Sequence, residues 1–550
     1  MRTPFRLYRV SDSVRVANAA ARGVARSGLI RPTSPRATLQ ITAGVRHWGT
    51  SPAVGFSLGR ARHPSAVAVI DADDENLPQV SFIDMDHRCD TLALSLLDRG
   101  IGPGSRVGLL GRNSRGFLES LVAVSRTGAD LVYLNTGATP EAVATIAYAQ
   151  RIELVIRDTE FAHLAPEGIP SISIDNKSGI PLLCSLPNKS GTLPGLARHG
   201  QHIILTSGTS SGRAQGASRS SVPLDAAAAV LDAFPLHMRG TTLFASPIFH
   251  AWGWMHHRLA TLLDSTTVVV RRPDPERLLA LIDEHKVDAL ITVPVVLRRM
   301  LELPRHVRRR YDLSSLRCVA VSGSSLPGTL ATEFMDVFGD VLYNLYGSTE
   351  AAFATCATPE DLRADPGTAG RPLAGVHIEI LDRRGRPVVE GAEGRVYVGS
   401  RTTFSGYTDG TDRERVRGLV FTGDIGRLDE EGRLTIVGRA DDVVVTGGEN
   451  VHPAEVEEVF RSNPDVLDVA VTGIPDPVYG AALVAHVVPG ELATADADAL
   501  LRWARERLGP HHRPRRVIFH EELPRNATGK ILRGVLTGDA SADAEDDELE

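Results

Sequence analysis

The chain has 550 residues, a length that suggests about three to four structural units. Of these residues 42% are hydrophobic and 23% charged, as in a folded protein, which excludes a mainly disordered, collagen-like or coiled-coil chain. The formal net charge is −7, but the last twelve residues hold seven acids and no base, so the rest is near neutral and lacks the basic character of a nucleic-acid-binding protein. No apolar run predicts a transmembrane helix, and four widely spaced cysteines without a CxxC pair argue against a disulfide framework or a zinc site and favour a cytoplasmic location.

The two ends of the chain differ in charge from its body. The first 48 residues contain nine arginines and one acid, Asp12. This composition predicts a basic N-terminal arm over residues 1–54, partly helical, and leaves open a transit peptide or a contact with an anionic surface. At the other end, the acidic tail over residues 537–550 is expected to be disordered.

Strands alternate with helices in two stretches, residues 57–160 and 241–321. In the first stretch, a buried strand at 106–111 is followed by an amphipathic helix at Arg115–Thr127 and by a second strand at 130–134. Alternation of this kind predicts parallel strands in doubly wound sheets.

The pattern then changes twice. Residues 373–437 contain short strands separated by turns such as Arg384-Gly385, which predicts a small antiparallel barrel or sheet. From about residue 439, mixed helices and strands indicate an α+β unit. The predicted fold class is α/β: a large N-terminal domain over residues 55–438, with two doubly wound subdomains and a small β-barrel, followed by a small C-terminal domain over 439–536.

A loop of small hydroxyl residues and glycines, residues 206–216, follows a buried strand at Ile203–Leu205. Backbone N–H groups and hydroxyls in such a loop can wrap a phosphate chain, and glycine permits the close approach. The Walker pattern GxxxxGK[ST] is absent from it. A loop rich in serine and glycine can also be a simple flexible connection.

Three further segments carry groups suited to nucleotide chemistry. Asn344-Leu-Tyr-Gly-Ser-Thr-Glu350 follows a strand predicted at 341–343 and supplies a ring to stack on a base, a hydroxyl for phosphate and a carboxylate for Mg²⁺. Asp424 lies in a turn where it could accept bonds from both ribose hydroxyls, although an aspartate in a turn is common. His250 follows another predicted strand, and on its own it could equally be a structural residue.

Taken in order and spacing, these segments resemble the adenylate-forming superfamily, which includes acyl-CoA synthetases, firefly luciferase and the adenylation domains of peptide synthetases. The resemblance covers roughly residues 55–535 and also rests on Gly438-Arg-Ala-Asp-Asp442 and Asn526-Ala-Thr-Gly-Lys-Ile-Leu-Arg533. Residues 247–253 and 447–453 are most similar to those of fatty-acyl-CoA ligases.

The resemblance implies ATP as a substrate, with its phosphates on the loop formed by Thr206, Ser207, Gly208, Thr209, Ser210 and Gly212. The sequence departs from the family at the end of this loop, where the usual Pro-Lys-Gly is Ala214-Gln215-Gly216. Arg213 is a candidate to replace the missing positive charge, and slower adenylation or a different phosphate grip is the other interpretation. The backbone cradle does not need the lysine, so ATP binding is still expected.

The other site positions follow from the same resemblance. Thr349 matches a phosphate contact, Glu350 the Mg²⁺ ligand, and Lys530 the lysine that bridges the carboxylate and the α-phosphate. Asp441 matches the hinge about which a mobile C-terminal domain rotates between an adenylating and a thioester-forming pose. The adenine and ribose positions implied are Ser322, Gly323, Ser324, Asn344, Leu345, Tyr346, Gly347, Ser348, Asp424 and Arg439.

Two more sites are implied for the acid and for coenzyme A, the thiol substrate. Gly447 and Gly448 would line a pantetheine tunnel, where a side chain would block the passage. His250 matches a residue at the mouth of the acyl pocket, lined by residues 251–253 and 322–324. Gly253 would leave depth and the tryptophans beside it would add bulk, which favours a planar or medium-sized acid.

The interpretation that follows is an AMP-forming ligase that converts a carboxylic acid to acyl-AMP and then to its CoA thioester. A second keeps adenylation but uses a carrier-protein phosphopantetheine or an amine as the acceptor. A third replaces the acid by another oxyanion, as in relatives that activate nitrite to diazotise an aryl amine. A fourth is a non-catalytic adenylate-binding protein, which the joint presence of Glu350, Asp424, Arg439 and Lys530 disfavours. A carrier protein and a second copy of the chain are left open as partners.

Overall fold

The computed structural model describes residues 10–29, 33–49, 51–174, 193, 199–205, 216–219, 224–404, 406–408, 410–446, 449–476, 479–490, 496–526 and 529–538. None of the helices in these ranges is both long enough and apolar enough to cross a membrane.

The first part of the chain begins with two helices and continues with alternating strands and helices. Its elements are α1 Val10–Ser27, α2 Pro35–Trp48, α3 Ser57–Arg62, β1 Val67–Asp71, β2 Gln79–Ser81, α4 Phe82–Asp98, β3 Arg106–Leu110, α5 Arg115–Thr127, β4 Asp130–Tyr133, α6 Pro140–Ala149, β5 Leu154–Arg157, β6 Ser171–Ser173, β7 His202–Leu205, β8 Gly216–Arg219 and α7 Leu224–Ala233.

The second part continues this alternation and ends in two antiparallel strands. Its elements are β9 Thr241–Phe244, α8 Ala251–Leu262, β10 Thr266–Val269, α9 Pro275–His285, β11 Ala289–Thr292, α10 Pro294–Glu302, α11 Arg305–Arg308, β12 Cys318–Val321, α12 Gly328–Phe338, β13 Leu342–Ser348, β14 Ala352–Ala357, α13 Pro359–Ala364 and β15 Arg371–Pro372.

Two parallel sheets with antiparallel edges contain most of these strands. One has the order β15-β14-β13-β12-β11-β9-β10-β1-β2 and the other β6-β5-β3-β4-β7-β8 in the part of the chain described. A common core of fully buried side chains, such as Val69, Val107, Leu131 and Phe244, joins the two sheets. The doubly wound arrangement predicted from the alternation is confirmed.

Helix α5 shows why local sequence predicts these elements well. The Ser114 hydroxyl accepts a 3.1 Å bond from the Phe117 N–H at its first turn, and Gly128 ends it at φ +81°. Both are standard helix-end features, so the observed bounds equal the predicted Arg115–Thr127. By contrast, the strand predicted at 341–343 was too short. β13 continues through Ser348, because it pairs antiparallel with β14 after a chain reversal.

The sequence predicted a small antiparallel barrel or sheet for the third unit, and the structure shows a sheet. Its strands are β16 His377–Leu381, β17 Gly394–Gly399, β18 Arg415–Val416, β19 Leu419–Leu428 and β20 Leu434–Arg439. All the described pairings are antiparallel, and β19 pairs with β17, β18 and β20. The register of β19 and β20 places Asp424 opposite Arg439.

The C-terminal part has the predicted α+β character. Its elements are β21 Val444–Thr446, β22 Glu449–Val451, α14 Pro453–Arg461, β23 Val466–Asp476, β24 Gly480–Pro489, α15 Ala497–Arg505 and β25 Arg516–Phe519. Helix α14 packs on β23 through Val456 and Phe460, which are fully buried. An isolated β-bridge between Arg525 and Ile531 then holds the turn that carries Lys530.

Candidate active site

A cavity of about 660 Å³ lies between the parallel sheet of β12 and β13, the antiparallel unit and the C-terminal part of the chain. The lining includes these residues predicted from sequence: His250, Ser322, Gly323, Ser324, Asn344, Leu345, Tyr346, Gly347, Ser348, Thr349, Glu350, Asp424, Arg439 and Lys530. Thr206, Ser207, Gly208, Thr209, Ser210 and Gly212 of the predicted phosphate loop, and Gly447 and Gly448 of the predicted tunnel, lie outside the described residues.

The positions predicted to contact adenine come together because β12 and β13 are parallel neighbours. The register pairs Val321 with Asn344, so the turn at residues 322–324 follows β12 at the same edge where Asn344 and Tyr346 lie on β13. Gly323 has φ +92°, a backbone conformation that favours glycine. Ser322 and Asn344 are buried.

Position 347 requires glycine because the backbone of β14 passes very close to it. A Cβ built there would lie 2.1 Å from the carbonyl oxygen of Ala352 on β14. Ala352 itself has φ +61°, which is uncommon for a residue with a side chain. The tight reversal between β13 and β14 holds Thr349 and Glu350 against the cavity.

Asp424 is held by two partners. Oη of Tyr346 donates to its Oδ2 at 2.6 Å, and Nη1 of Arg439 donates to its Oδ1 at 3.1 Å. Burial, followed by the charge of Asp424, raises the pKa of Tyr346 well above its ordinary value, so the phenol stays protonated and donates. The carboxylate keeps further lone pairs, since it can accept about four hydrogen bonds.

Gly423, just before Asp424, lets the guanidinium of Arg439 approach the strand. It has φ +88°, and a Cβ there would lie 2.7 Å from Nη2 of Arg439. Arg439 also donates to the carbonyl of Thr422 at 3.2 Å. The Thr-Gly-Asp segment lies within β19, where the sequence predicted a turn, and it aims a fixed carboxylate and a fixed cation into one cavity.

Glu350 is buried and paired with two residues that sequence reasoning missed. Oη of Tyr407 donates to Oε1 of Glu350 at 2.5 Å, and Nη2 of Arg413 lies 3.4 Å from the same oxygen. Nε of Arg413 also donates to Oη of Tyr407 at 2.9 Å. Tyr407 and Arg413 come from an irregular segment some sixty positions away, where neither periodicity nor a motif marks them.

The Glu350 carboxylate fits a magnesium ion that is held mainly by substrate phosphates. Among the described residues, the bonds to this carboxylate all fall on Oε1. Mg²⁺ usually takes one or two protein carboxylates and completes its shell with water and phosphate oxygens. One fixed carboxylate beside Thr349 satisfies that requirement.

Lys530 enters the cavity from the C-terminal part of the chain. Its backbone N–H donates to Oδ1 of Asn526 at 2.9 Å, and Gly529 before it has φ +77°. Nη2 of Arg525 holds this turn to Asp468 at 2.5 Å. Burial, followed by repulsion from Arg439, lowers the pKa of Lys530, while Asp442 and Asp424 act in the opposite direction.

The predicted hinge residue lies beside the cavity rather than in its wall. Asp441 follows the end of β20, its side chain is about half exposed, and its carboxylate is 3.6 Å from Nη2 of Arg439. The next residue, Asp442, lies 3.6 Å from Arg533 on the C-terminal unit. Asp441 therefore lies between the strand that carries Arg439 and the unit that carries Lys530.

His250 precedes the first turn of α8 and is partly buried. Its Nε2 atom has no hydrogen-bond partner among the described residues. Burial lowers the pKa of His250 to about 4. The ring is therefore neutral near pH 7 and does not carry a positive charge.

The apolar end of the cavity corrects one expectation. Trp252 and Trp254 line it, but Gly253 does not. A Cβ at Gly253 would lie 2.4 Å from the carbonyl oxygen of Pro247, so the missing side chain permits contact with the preceding segment instead of leaving depth for an acid.

Comparison with known proteins agrees with this geometry. Residues 58–408 match the profile of the AMP-binding enzyme family, and residues 455–530 match that of the AMP-binding enzyme C-terminal domain. The chain is 31% identical over 483 residues to a feruloyl-CoA synthase from Amycolatopsis sp., which covers 83% of this chain and 93% of that protein. It is 30% identical over 473 residues to an indoleacetate–CoA ligase from Aromatoleum aromaticum, which covers 82% and 92%.

Among solved structures, the chain is similar to an amide bond synthetase from Marinactinospora thermotolerans. The TM-score is 0.76 at 28% identity, and the match covers 86% of this chain and 97% of that one.

Proposed function

The chain belongs to the AMP-binding enzyme family, and from that premise we propose that it is an acid–thiol ligase, which joins a carboxylic acid to coenzyme A and converts ATP to AMP and pyrophosphate. The observation that carries this proposal is one cavity lined by Tyr346 on β13, Asp424 on β19, Arg439 on β20 and Lys530 near the end of the chain. This cavity can hold the base and ribose of a nucleotide together with the carboxylate of an acid, and Lys530 supplies a positive charge beside them.

In the first half-reaction, a carboxylate oxygen of the acid attacks the α-phosphorus of ATP and pyrophosphate leaves. Lys530, as a cation, stabilises the negative charge that develops between the two reactants. Thr349 contacts phosphate, and Asp424 with Arg439 orients the ribose. When bound at Glu350, Mg²⁺ neutralises charge on the phosphates, which makes the step mainly one of positioning and electrostatics.

In the second half-reaction, the thiol of coenzyme A attacks the acyl carbon and AMP leaves with the bonding electrons. For this step the C-terminal unit turns about Asp441, because Lys530 in its present position occupies part of the same cavity. Lining the passage for pantetheine is the role that the family resemblance implies for Gly447 and Gly448.

The phosphate grip differs from the family pattern. Gln215 stands where a lysine is usual, and Arg213 is two residues away. Within the described residues, Arg413 lines the cavity and pairs with Glu350. A cation is therefore available near the predicted Mg²⁺ ligand without the loop lysine.

The acid is planar or medium-sized in this proposal. Support comes from the end of the cavity that Trp252 and Trp254 line. Two relatives, a feruloyl-CoA synthase and an indoleacetate–CoA ligase, have names that contain aromatic acyl groups.

An amine in place of coenzyme A is the second candidate acceptor. The structural similarity to an amide bond synthetase favours it, because that protein shares the fold along 97% of its length. Carrier-protein loading and nitrite activation keep the same first step with a different partner, whereas a non-catalytic protein would show no first step.

One experiment separates these candidates. Acid-dependent release of pyrophosphate from ATP and Mg²⁺ tests the first half-reaction with a panel of aryl and alkyl acids. Addition of coenzyme A, of an amine or of a phosphopantetheinylated carrier protein then identifies the acceptor through the release of AMP. Pyrophosphate release that no acid stimulates, or AMP release that coenzyme A does not accelerate, would contradict the proposal.

A cytoplasmic location belongs to the same proposal. Cys89, Cys318 and Cys356, the cysteines within the described ranges, are buried free thiols. Free thiols suit a reducing compartment. Size-exclusion chromatography with light scattering would test whether the chain forms a homodimer.

A further inference from the structure

A second, smaller chamber of about 40 Å³ lies behind the apolar end of the cavity. Met255, Ala352 and Phe353 line both spaces and so form a partition between them. The chamber is far smaller than the main cavity of about 660 Å³. The partition, rather than the chamber, therefore limits how far an acid can extend.

The walls beside the partition are held by hydrogen bonds. Nε1 of Trp252 donates to the carbonyl of Thr292 at 2.9 Å, and Nε1 of Trp254 donates to Oη of Tyr133 at 3.0 Å. Met255 has only a flexible thioether chain, which adapts readily to a change in its surroundings. It is therefore the member of this wall that can be shortened without leaving a buried polar group unpaired.

Helix α1, which precedes the part of the chain that matches the AMP-binding enzyme profile, forms part of the wall of the chamber. Val16 of α1 lines the chamber together with Ala226, Ala229 and Val230 of α7. The match begins only at residue 58, so this wall is a feature that the family match does not include.

Helix α1 is firmly attached to α7. Ala19 is almost fully buried, and a Cβ at Gly23 would lie 2.3 Å from the carbonyl oxygen of Ala228, which marks close contact of the two helices. Arg22 also donates two hydrogen bonds to Asp232, at 3.0 and 2.6 Å. The wall formed by Val16 is therefore part of the folded body rather than a loose arm.

We propose that Met255, Ala352 and Phe353 set the maximum length of the acid, and that α1, through Val16, forms part of the wall of the neighbouring chamber into which a longer acid would extend from there. This inference rests on the proposed function and names its substrate class. The acid is compact, an aryl or short-chain acid whose distal end contacts the partition.

The test compares acid-length profiles. The probes are straight-chain acids from butyric to dodecanoic acid and 4-alkylbenzoic acids with alkyl chains of increasing length, each assayed by acid-dependent pyrophosphate release. Met255→Ala joins the chamber to the cavity, so kcat/KM for acids one or two methylenes beyond the wild-type limit should rise by about fourfold per methylene. Phe353→Leu serves the same purpose if Met255→Ala does not fold.

The role of α1 is tested by matched double variants. In Met255→Ala/Val16→Trp the indole fills the chamber, and the gain with longer acids should be lost. In Met255→Ala/Val14→Trp the gain should persist, because Val14 is 54% exposed on the same helix.

Each contrary result overturns a defined part of the inference. A wild-type protein that uses the longest and shortest acids equally well has no partition. Unchanged length profiles in Met255→Ala and Phe353→Leu would contradict the role of these residues, and equal effects of Val16→Trp and Val14→Trp would contradict the role of α1. If no acid of either series stimulates the release of pyrophosphate, the proposed function itself is overturned.

Discussion

Oη of Tyr346 donates a 2.6 Å hydrogen bond to Oδ2 of Asp424, although the two residues are 78 positions apart in the chain. Tyr346 lies on β13 of a parallel sheet and Asp424 on β19 of the antiparallel unit. This bond connects the position expected to contact the base with the position expected to contact the ribose, so the two parts of the nucleotide site are oriented together.

Substitution of Asp424 or of Tyr346 should lower kcat/KM for ATP, and the loss should be larger for Asp424. Asp424→Asn removes the charge that pairs with Arg439, and we expect kcat/KM for ATP to fall by about 10- to 100-fold in the pyrophosphate assay. Tyr346→Phe keeps the ring and loses one neutral donor, so a fall of about tenfold or less is expected. The matched control is Tyr148→Phe. Tyr148 is exposed, and its hydroxyl donates a hydrogen bond of 2.7 Å to the carbonyl of Glu167. Equal effects at Tyr148 and Tyr346 would contradict the assignment.

Lys530→Ala should separate the two half-reactions. Adenylation should fall by about 100- to 1000-fold, because a positioned cation is lost where negative charge develops. Thioester formation from supplied acyl-AMP and coenzyme A should continue, since Lys530 leaves the cavity in the second pose. Lys286→Ala is the control, at an exposed lysine paired with Asp283 and Asp312. Equal losses in both half-reactions would rule out the two-pose mechanism.

The pH dependence of adenylation should reveal Lys530. Burial, followed by repulsion from Arg439, lowers the pKa of this ammonium below its ordinary value of 10.5. Activity requires the protonated form, so the adenylation rate should decline with rising pH at a pH below 10.5. In Lys530→Arg the guanidinium stays charged up to about pH 12, so the alkaline decline should move to higher pH even if the rate is lower. An unchanged decline would assign it to another group.

The role of Glu350 can be tested through the dependence on magnesium. Glu350→Gln removes the carboxylate charge, so the Mg²⁺ concentration for half-maximal adenylation should rise by about tenfold or more. Chelation of Mg²⁺ with EDTA should abolish pyrophosphate release in every variant. The control is Glu360→Gln, at an exposed position on α13. A Mg²⁺ dependence that stays at the wild-type value in Glu350→Gln would exclude this residue as the ligand.

Buried histidines should make the fold sensitive to acid. Burial lowers the pKa of His257 to about 3, whereas the unfolded chain has the ordinary value of 6.5. Between these values only the unfolded state binds the proton, so the free energy of unfolding decreases as the pH falls below 6.5, by up to about 1.4 kcal/mol per pH unit.

His257→Phe should remove this contribution. From pH 7 to pH 5 the loss of stability in urea denaturation should be smaller than in the wild type by up to about 2 kcal/mol. His87→Phe, at an exposed position, should leave the difference between the two pH values unchanged. A wild-type slope in His257→Phe would mean that this ring does not remain neutral in the folded state.

Much of the fold was predictable because it depends on neighbours in sequence. The bounds of α5 agree with apolar spacing and with helix-end residues a few positions apart. The strand at 341–343 was predicted too short because its continuation to Ser348 depends on pairing with β14, which the chain reaches only after it reverses.

The candidate site divides in the same way. The aromatic ring at 346 and the carboxylates at 350 and 424 stand in short motifs, so their chemistry can be read from adjacent residues. Composition and motifs along the chain were thus sufficient for the α/β class, the order of its units and the nucleotide chemistry, because periodicity and turn-forming residues act locally.

Contacts between distant segments required the folded chain. Tyr407 and Arg413 reach Glu350, Gly253 serves contact with Pro247 rather than pocket depth, and Val16 lines the space behind Met255. Each of these depends on how complete strands and helices pack against one another. Such packing depends on the shape and volume of side chains brought together from separate parts of the chain, and residue type and spacing alone do not specify it.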